Sequence, residues 1–522
     1  MECVRADVSS RTAAALADAL IRDLLKAHLL SDDFDVQSMT VDKSRMDREK
    51  ARVKVDASEQ TESEGLICVG VDGKDDTKTL SHKVIVDESG ERKLKQVTEK
   101  EHHLTFTQET GPKRGEYLTH RSVGLKKSGA MLGGVTKGVL VEFKSEETVR
   151  AILCDNTATN TGYKTGLVVS LEKEIGRRVH LIGCALHQNE LPWKHVFSAL
   201  DGTTKGPQTL SGPVGKLLQE NLEDKPQVKF TPITSRIEEL KISDDVIKDL
   251  STDQRLLLEY VKGISAGQVD PKWAAWKIGQ YHSARWITMS VRILSVYIRG
   301  LYSDDLKEKM YWLVCFIVQV YAVSWFRIKM DNSFKNQPMY IFEMIQDIKM
   351  QESQAVRKVA LDNLQNNAFG LVPENMLFSM IASENAELRN KAISRILKMR
   401  DLNQGEQPAL IESDKRIPAI NYEAVDWSTL VDLDSIKGNF EPPLTQDISS
   451  VDLREAFDTS SALQFPALPA HSQSVERAVK LVSEASAHVY GTEGRHRHIL
   501  VRLKSRKARP SFGSKGSYSE TY

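Results

Sequence analysis

The chain has 522 residues, of which 40% are hydrophobic and 27% charged, which is typical of folded proteins and excludes a disordered chain. Lysine plus arginine and aspartate plus glutamate both number 71, so the formal net charge is zero. Overall charge therefore gives no prediction about nucleic acid, and any binding to a polyanion has to come from local patches. The five scattered cysteines form no CxxC pair, which argues against a zinc finger or a disulfide framework and favours a reducing compartment.

The first part of the sequence predicts a helical arm. Apolar residues recur at helical spacing over residues 10–30, with Ser9 or Ser10 as the cap, and a dense run of mixed charge follows at 42–56. We therefore expect residues 1–60 to form a helical N-terminal arm and a charged, solvated linker.

From residue 65 the pattern changes to short strands and then to alternating strands and helices. The segments LICVGVD, HKVIVD and EYLTHRSV are rich in β-branched residues and predict three successive strands. A helix over 128–144, a strand RAILCD, a second helix ending at Gly176 and a strand RVHLIGCA follow. This order predicts an α/β fold with an RNase H-like mixed sheet, in which strand one, ending at Asp72, lies beside strand four, ending at Asp155.

The rest of the chain divides by composition. Helical periodicity predicts that a large all-α insertion domain interrupts the sheet domain, and the segment MYWLVCFIVQVYAVSWF within it favours a buried core helix over a membrane span because Gln319 and Ser324 interrupt it. We assign the segments as follows: 61–230 as the first part of the RNase H-like core, 231–405 as the insertion, 406–465 as an irregular return segment, 466–492 as the final core helix, and 493–522 as a basic tail.

Three carboxylates are candidates for a metal site. An uncompensated carboxylate at the end of a buried strand is unfavourable, and phosphoryl transfer on DNA uses two divalent ions held by converging carboxylate oxygens. Asp72 and Asp155 are two such donors, and Glu476 on the final helix is the third. The alternatives are a turn residue for Asp72, a helix N-cap or Asx turn for Asp155, and a solvated helix residue for Glu476.

Five motifs in order resemble the catalytic region of hAT-superfamily DNA transposases, DDE enzymes whose RNase H-like domain is split by a helical insertion. The motifs are VGVDG, CDNTATN, CALH, HSARWIT and PAHSQSVER. The resemblance implies Asp72, Asp155 and Glu476 as catalytic ligands of Mg²⁺ or Mn²⁺. It implies Cys184, His187 and Arg477 as supporting residues, and Arg285 and Trp286 as residues that bind DNA at a hairpin or flipped base.

The implied activity is metal-dependent hydrolysis and strand transfer on DNA in the nucleus, with DNA as partner, no membrane, and a homo-oligomer as a further expectation. The sequence departs from the family because no Cys and His spacing fits a BED-type zinc finger, and Lys74 and Asp75 follow Gly73 where the family has a Trp nearby. A non-catalytic, transposon-derived module that binds DNA or protein is therefore the alternative.

Basic residues near both ends of the chain are predicted to contact phosphates without sequence preference, the alternative being ordinary solvated charge. They are Lys43, Arg45, Arg48, Lys50, Arg52, Lys54, Arg495, Arg497, Arg502, Lys504, Arg506, Lys507 and Arg509.

Overall fold

The structure is a computed structural model of the whole chain. It describes residues 2–5, 8–27, 29, 41–58, 65–86, 88–124, 127–203, 210–219, 222, 225–279, 286–402, 417–432, 441–487 and 491–508.

One five-stranded sheet organises the molecule, with the strand order β3-β2-β1-β4-β5. The antiparallel pairs are β1 with β2 and β2 with β3, whereas β4 runs parallel to β1 and to β5. The protein is therefore a mixed α/β fold, as the sequence predicts, and the predicted neighbours, strands one and four, are paired. The strands are β1 Cys68–Val86, β2 Arg92–Gln108, β3 Glu116–Val123, β4 Ala151–Cys154 and β5 His180–Gly183.

The first two strands differ from the sequence prediction. The segments LICVGVD and HKVIVD belong to one strand of 19 residues, and the true second strand is the segment RKLKQVTEKEHHLTFTQ. Asp72 therefore lies within β1 and not at its end. The sequence Asp-Gly-Lys-Asp-Asp is typical of a turn, but here its residues pair with β2, and a break in the register between Asp76 and Thr79 accommodates the polar run.

Helices make up most of the remaining chain. The α-helices are α1 Glu2–Arg5, α2 Ser10–Lys26, α3 Lys43–Ser58, α4 Gly129–Glu142, α5 Ala158–Thr161, α6 Leu167–Ile175, α7 Ala185–Asp201, α8 Pro213–Leu217, α9 Asp244–Asp249, α10 Thr252–Ala266, α11 Pro271–Ala274, α12 Ile287–Ile298, α13 Lys307–Phe316, α14 Ala322–Met330, α15 Gln337–Lys349, α16 Gln354–Gln365, α17 Pro373–Ile381, α18 Ala386–Leu402, α19 Trp427–Leu430, α20 Ser450–Thr459, α21 Gln473–Ala485 and α22 Gly491–Ala508. Short 3₁₀ segments cover Ile237–Leu240, Asp304–Leu306, Phe334–Asn336, Phe369–Leu371 and Pro443–Thr445, and a π segment covers Ile317–Tyr321.

The first face of the sheet is apolar. Val69 and Val71 of β1, together with Ile152 and Cys154 of β4, pack in one cluster with buried side chains of α4 and α6. Side chains alternate between the faces of a strand, so the residues between them point the other way. This first face supplies an ordinary hydrophobic core.

The second face meets the helical part of the chain. Cys68, Ala151 and Leu153 belong to one apolar cluster with residues of α7 and α10 to α18. The segment Asp304–Met330 is long and apolar enough to cross a membrane by length and composition, but 78% of its apolar window is buried inside the protein. This agrees with the predicted core helix. The helices of the insertion thus share a core with the sheet.

Both ends of the described chain are more helical than the sequence predicts. The charged run at 42–56 lies in helix α3, and much of the predicted basic tail lies in helix α22, which packs on α3, α21 and β3. Gly491 has a φ of 67° and begins α22. Arg495 on α22 is only 2% exposed, so it is a buried residue.

Candidate functional site

Asp72 lies on β1, and Asp155 is the first residue after the parallel neighbouring strand β4. The register pairs Cys68 with Ala151 and Gly70 with Leu153, and extending it by two residues places Asp72 beside Asp155. Equivalent positions on paired strands point to the same face, and neighbouring strands lie about 4.8 Å apart. Both side chains belong to the second face of the sheet, because they alternate with the buried apolar residues of the first face.

The loop after β4 holds Asp155 by local hydrogen bonds. Its Oδ1 accepts from the Thr157 N–H at 3.1 Å, from the Thr157 hydroxyl at 2.8 Å and from the Asn160 amide at 2.6 Å. This is the Asx-turn arrangement that the sequence left open as an alternative. All three bonds are to one oxygen, so they fix the orientation of the carboxylate without using Oδ2.

The motif CALH contacts the loop that follows Asp155. The Asn156 N–H donates to His187 Nδ1 at 3.1 Å, and the Asn156 side chain donates to the Cys184 carbonyl at 3.2 Å. Cys184 also caps helix α7, because its sulfur accepts from the His187 N–H at 3.4 Å. Cys184 and His187 therefore join the end of β5 to the end of β4.

The start of helix α21 is attached to the same edge of the sheet. The Ser472 N–H lies 3.5 Å from Cys184 Sγ, and the Ala185 N–H donates to the Ala470 carbonyl at 2.8 Å. Glu476 lies in the first turn of α21, where Ser472 Oγ donates to its Oε1 at 2.8 Å. A negative side chain in the first turn is stabilised by the helix dipole.

Glu109 connects α21 to β1 and was not identified from the sequence. Its Oε1 accepts from Ser474 Oγ at 2.5 Å and from Thr107 Oγ1 at 2.6 Å. A side chain on Gly70 would meet Glu109 at 2.7 Å, which places the carboxylate over the residue two before Asp72. Burial raises the pKa of Glu109, and the hydrogen bonds from Ser474 and Thr107 oppose this.

Two contacts fix the direction of helix α21 over the sheet. Ser474 lies near Gly70 through Glu109, and the far end of α21 reaches β1 again where the Leu80 N–H donates to the Ser486 carbonyl at 3.1 Å. Helix α21 thus runs along β1, with its first turn, which carries Glu476, at the end nearer Gly70. Segments of four motifs meet here: VGVDG, CDNTATN, CALH and PAHSQSVER.

The ligand atoms of Asp72, Asp155 and Glu476 do not all lie within 4.8 Å of one another. Within the described part of the chain, the one group of His, Cys, Asp and Glu whose ligand atoms all lie within 4.8 Å of one another is Asp76, Glu101 and His103. Asp72, Asp155 and Glu476 do not form such a group. Their assignment as metal ligands stays a prediction.

The remaining predicted residues lie elsewhere. Arg477 is exposed, and its charge contributes to lowering the pKa of Asp249, after the larger effect of the hydrogen bond from Lys329. Trp286 is 7% exposed at the start of α12, and its ring lies 6.2 Å from that of Phe197 on α7. Trp286 is therefore part of the apolar core in this conformation, and Arg285 lies outside the described residues.

Several of the predicted phosphate-binding residues have protein partners. Arg495 pairs with Glu101, Arg502 with Glu484, and Arg497 with Glu493. Arg52 similarly pairs with Glu49 at 2.9 Å. Arg509 and the side chains of Arg506 and Lys507 lie outside the described residues. The pairing leaves less free positive charge on α3 and α22 than the sequence suggests.

Searches with models of protein families and among curated proteins each found no match for this chain.

Proposed function

We propose that this chain is a DNA strand-cleaving and strand-transferring protein of the hAT transposase type, built on an RNase H-like core. The observation that carries the proposal is the parallel register of β1 and β4, whose extension by two residues would put Asp72 beside Asp155 on the second face of the sheet. The strand order β3-β2-β1-β4-β5 and the position of Glu476 on a helix packed along β1 support it further.

The donor set fits hard divalent cations. Asp72, Asp155 and Glu476 would hold Mg²⁺ or Mn²⁺, because carboxylate oxygens are the ligands that these ions prefer. When bound, such ions polarise phosphoryl oxygens and generate a nucleophile from water or a hydroxyl at neutral pH.

The protein's own contribution is to orient these carboxylates before substrate binds. The hydrogen bonds from the loop go to Oδ1 of Asp155 and so fix the orientation of the carboxylate and of its Oδ2. The Ser472 hydroxyl donates to one oxygen of Glu476. The hydrogen bond from Ser474 to Glu109 fixes the position of helix α21 on the sheet. Carboxylates held by such outer partners bind metal more tightly than unsupported ones.

Cleavage of a labelled DNA duplex in the presence of Mg²⁺ or Mn²⁺ tests the proposal. We expect Asp72→Asn, Asp155→Asn and Glu476→Gln each to lower the rate by about 10³-fold or more, equivalent to about 4 kcal/mol of transition-state stabilisation. Glu484→Gln is the matched control, because Glu484 lies on the same helix but pairs with Arg502 at 2.9 Å. Cleavage that survives all three carboxylate substitutions would contradict the proposal.

A non-catalytic, transposon-derived binding module is the second candidate. The local hydrogen bonds of Asp155 and Glu476 and the burial of Trp286 favour it, because each gives the residue a structural role without metal or DNA. An unmodified protein that binds duplex DNA in a salt-sensitive way, but cleaves none with either ion, would support this candidate over the first.

A further inference from the structure

A second polar cluster lies further along the same face of the sheet. Asp76 of β1 is the direct cross-strand partner of Glu101 on β2, and His103, two residues along β2, shares their face. The register breaks immediately after Asp76, between Asp76 and Thr79. Bulges of this kind redirect side chains and are frequent beside functional sites.

The cluster is buried. Asp76 is 7% exposed, Glu101 is 9% exposed and His103 is completely covered. Helices α21 and α22 cover this part of the sheet, since α21 packs on β1 and β2 and α22 packs on β3. Two like charges directly opposite each other on paired strands repel, and burial strengthens that repulsion.

The atoms that face one another are poorly satisfied by the protein. Asp76 Oδ2 and both ring nitrogens of His103 have no hydrogen-bond partner among the described residues. Glu101 uses Oε2 to accept from Ser122 and pairs through Oε1 with Arg495. Buried polar atoms of this kind are rare in native proteins unless a water or an ion meets them.

Arg495 only partly compensates the two carboxylates. Its guanidinium pairs with Glu101, and its Nε and NH1 groups have no hydrogen-bond partner among the described residues. Within the described part of the chain, the Lys78 backbone N–H donates to the other oxygen of Asp76 at 2.9 Å. Two carboxylates against one guanidinium leave a net negative charge, which a divalent cation would offset.

We propose that Asp76, Glu101 and His103 bind a divalent transition-metal ion, with Zn²⁺ as the expected occupant. One ligand atom from each residue already lies within 4.8 Å of the other two, and a small closure would bring the atoms to ligand distances. The imidazole nitrogen favours Zn²⁺ or a similar ion over Mg²⁺ and Ca²⁺, which take oxygen ligands.

The site is independent of the proposed catalytic carboxylates. Asp76 lies four residues beyond Asp72 on the same face of β1, so the two sites are separate positions along one strand. Because the cluster is buried, its metal has a structural role: it holds the bulge of β1 against β2, and through Glu101 and Arg495 it holds helix α22. The site therefore stands even if the protein cleaves no DNA.

The test uses the full chain stripped with chelator and titrated with Zn²⁺. We expect one Zn²⁺ per chain by elemental analysis after desalting, and a rise of several degrees in the melting temperature. Asp76→Asn and His103→Gln should each remove that ion and the thermal shift. Asp75→Asn is the matched control, because Asp75 is the neighbouring residue but its side chain is 65% exposed and pairs with Lys127.

Two further measurements do not depend on whether the Asp76 and His103 variants fold. Cobalt(II) bound to the unmodified chain should show the absorption of a site with nitrogen and oxygen ligands, and Zn²⁺ should displace it. Asp72→Asn should leave Zn²⁺ stoichiometry unchanged. Absence of bound Zn²⁺ in the folded, unmodified chain, or equal binding by Asp76→Asn, would overturn the proposal and leave buried water as the partner of these atoms.

Discussion

The two faces of strands β1 and β2 differ in the polarity of the side chains that they bury. On the first face Val69, Val71 and Phe106 pack against α4 and α6 as a dry core, with each of the three side chains completely buried. On the second face, the residues that alternate with them include Asp72, Thr105 and a group of buried histidines and carboxylates. The same two strands thus carry an apolar core on one side and a polar interior on the other.

The two faces contribute differently to the stability of the fold. Burial of apolar side chains stabilises the fold by about 25 cal/mol per Å², whereas each unsatisfied buried polar group costs about 1–3 kcal/mol. Parallel sheets that are covered on both faces are usually apolar on both, whereas here the antiparallel strands β1 and β2 carry buried polar groups on the second face. The apolar core on the first face offsets the cost of burying them.

The largest expected contrast is between two adjacent residues of β2. Phe106 and Thr105 are both completely buried, but they point to opposite faces. We expect Phe106→Ala to lower the free energy of unfolding by about 3–5 kcal/mol through lost burial and a cavity. Thr105→Val keeps the shape and removes a hydroxyl without a hydrogen-bond partner among the described residues, so it should be neutral or stabilising by about 1 kcal/mol.

Urea unfolding followed by circular dichroism measures both variants of β2. The comparison fails if Thr105→Val destabilises the protein as much as Phe106→Ala does, because the polar face would then be a packed core like the other.

The second expected effect is a loss of stability in acid that originates on the polar face. Burial lowers the pKa of His180 to about 4. Its ring stays neutral in the folded protein, while in the unfolded chain it takes up a proton below about pH 6.5. The unfolded state then binds more protons, so this contribution to stability is fully present above pH 6.5 and falls towards pH 4, by about 3 kcal/mol.

Unfolding free energies measured from pH 7 to pH 4 test this effect. His180 is the residue to replace. Its Nδ1 lies 3.2 Å from Asn375 Oδ1, and its Nε2 accepts the Leu444 N–H at 3.3 Å. His180→Leu should lower the slope of stability against pH by up to about 1.4 kcal/mol per pH unit, whatever its effect at pH 7. An unchanged slope would remove His180 from the explanation.

The sequence predicts the apolar half of this comparison well. The short, mostly apolar runs in RAILCD and RVHLIGCA identify β4 and β5, in which every residue is buried, and the φ of 73° at Gly176 explains why helix α6 ends there. These elements are predicted correctly because a short apolar run is typical of a strand that is covered on both faces. The mixed α/β class and the pairing of strands one and four follow from them.

The polar residues of the second face could not be predicted from the sequence in the same way. The charged segment of β2 that contains Glu101 and His103 has no apolar alternation, so the strand was missed, and with it the cluster and Glu109. The partners that make these residues strand-like lie far along the chain, as in the contact of Glu101 with Arg495. The one available signal was that Glu101 and His103 are two residues apart, which on a strand places them on one face.

A smaller effect should follow from loosening the contact between α21 and the sheet. The Ser474 hydroxyl donates to the buried Glu109 carboxylate at 2.5 Å. Ser474→Ala should lower the free energy of unfolding by about 1.5–2 kcal/mol, because a hydrogen bond to a charged acceptor is lost. Thermal melting measures this loss. Lys480→Ala is the control, because Lys480 is exposed on the same helix and its replacement should change stability little.

The smallest effect on stability is expected at the far end of the β1–β2 hairpin, where side chains are exposed to solvent. Beyond Leu80 the strands β1 and β2 continue as a two-stranded ribbon, and Val84, Val86 and Leu94 there are 61%, 59% and 67% exposed. His82 and Gln96 are cross-strand partners, so replacing residues 83–95 by Asn-Gly would close the ribbon with a two-residue turn. Since the removed residues bury little surface, the free energy of unfolding should change by less than about 1 kcal/mol, and Zn²⁺ binding at Asp76, Glu101 and His103 should persist. Chemical unfolding and metal analysis of the shortened chain measure the two quantities. A large loss of stability would mean that the ribbon packs on something, and the contrast between covered and uncovered parts of these strands would have to be redrawn.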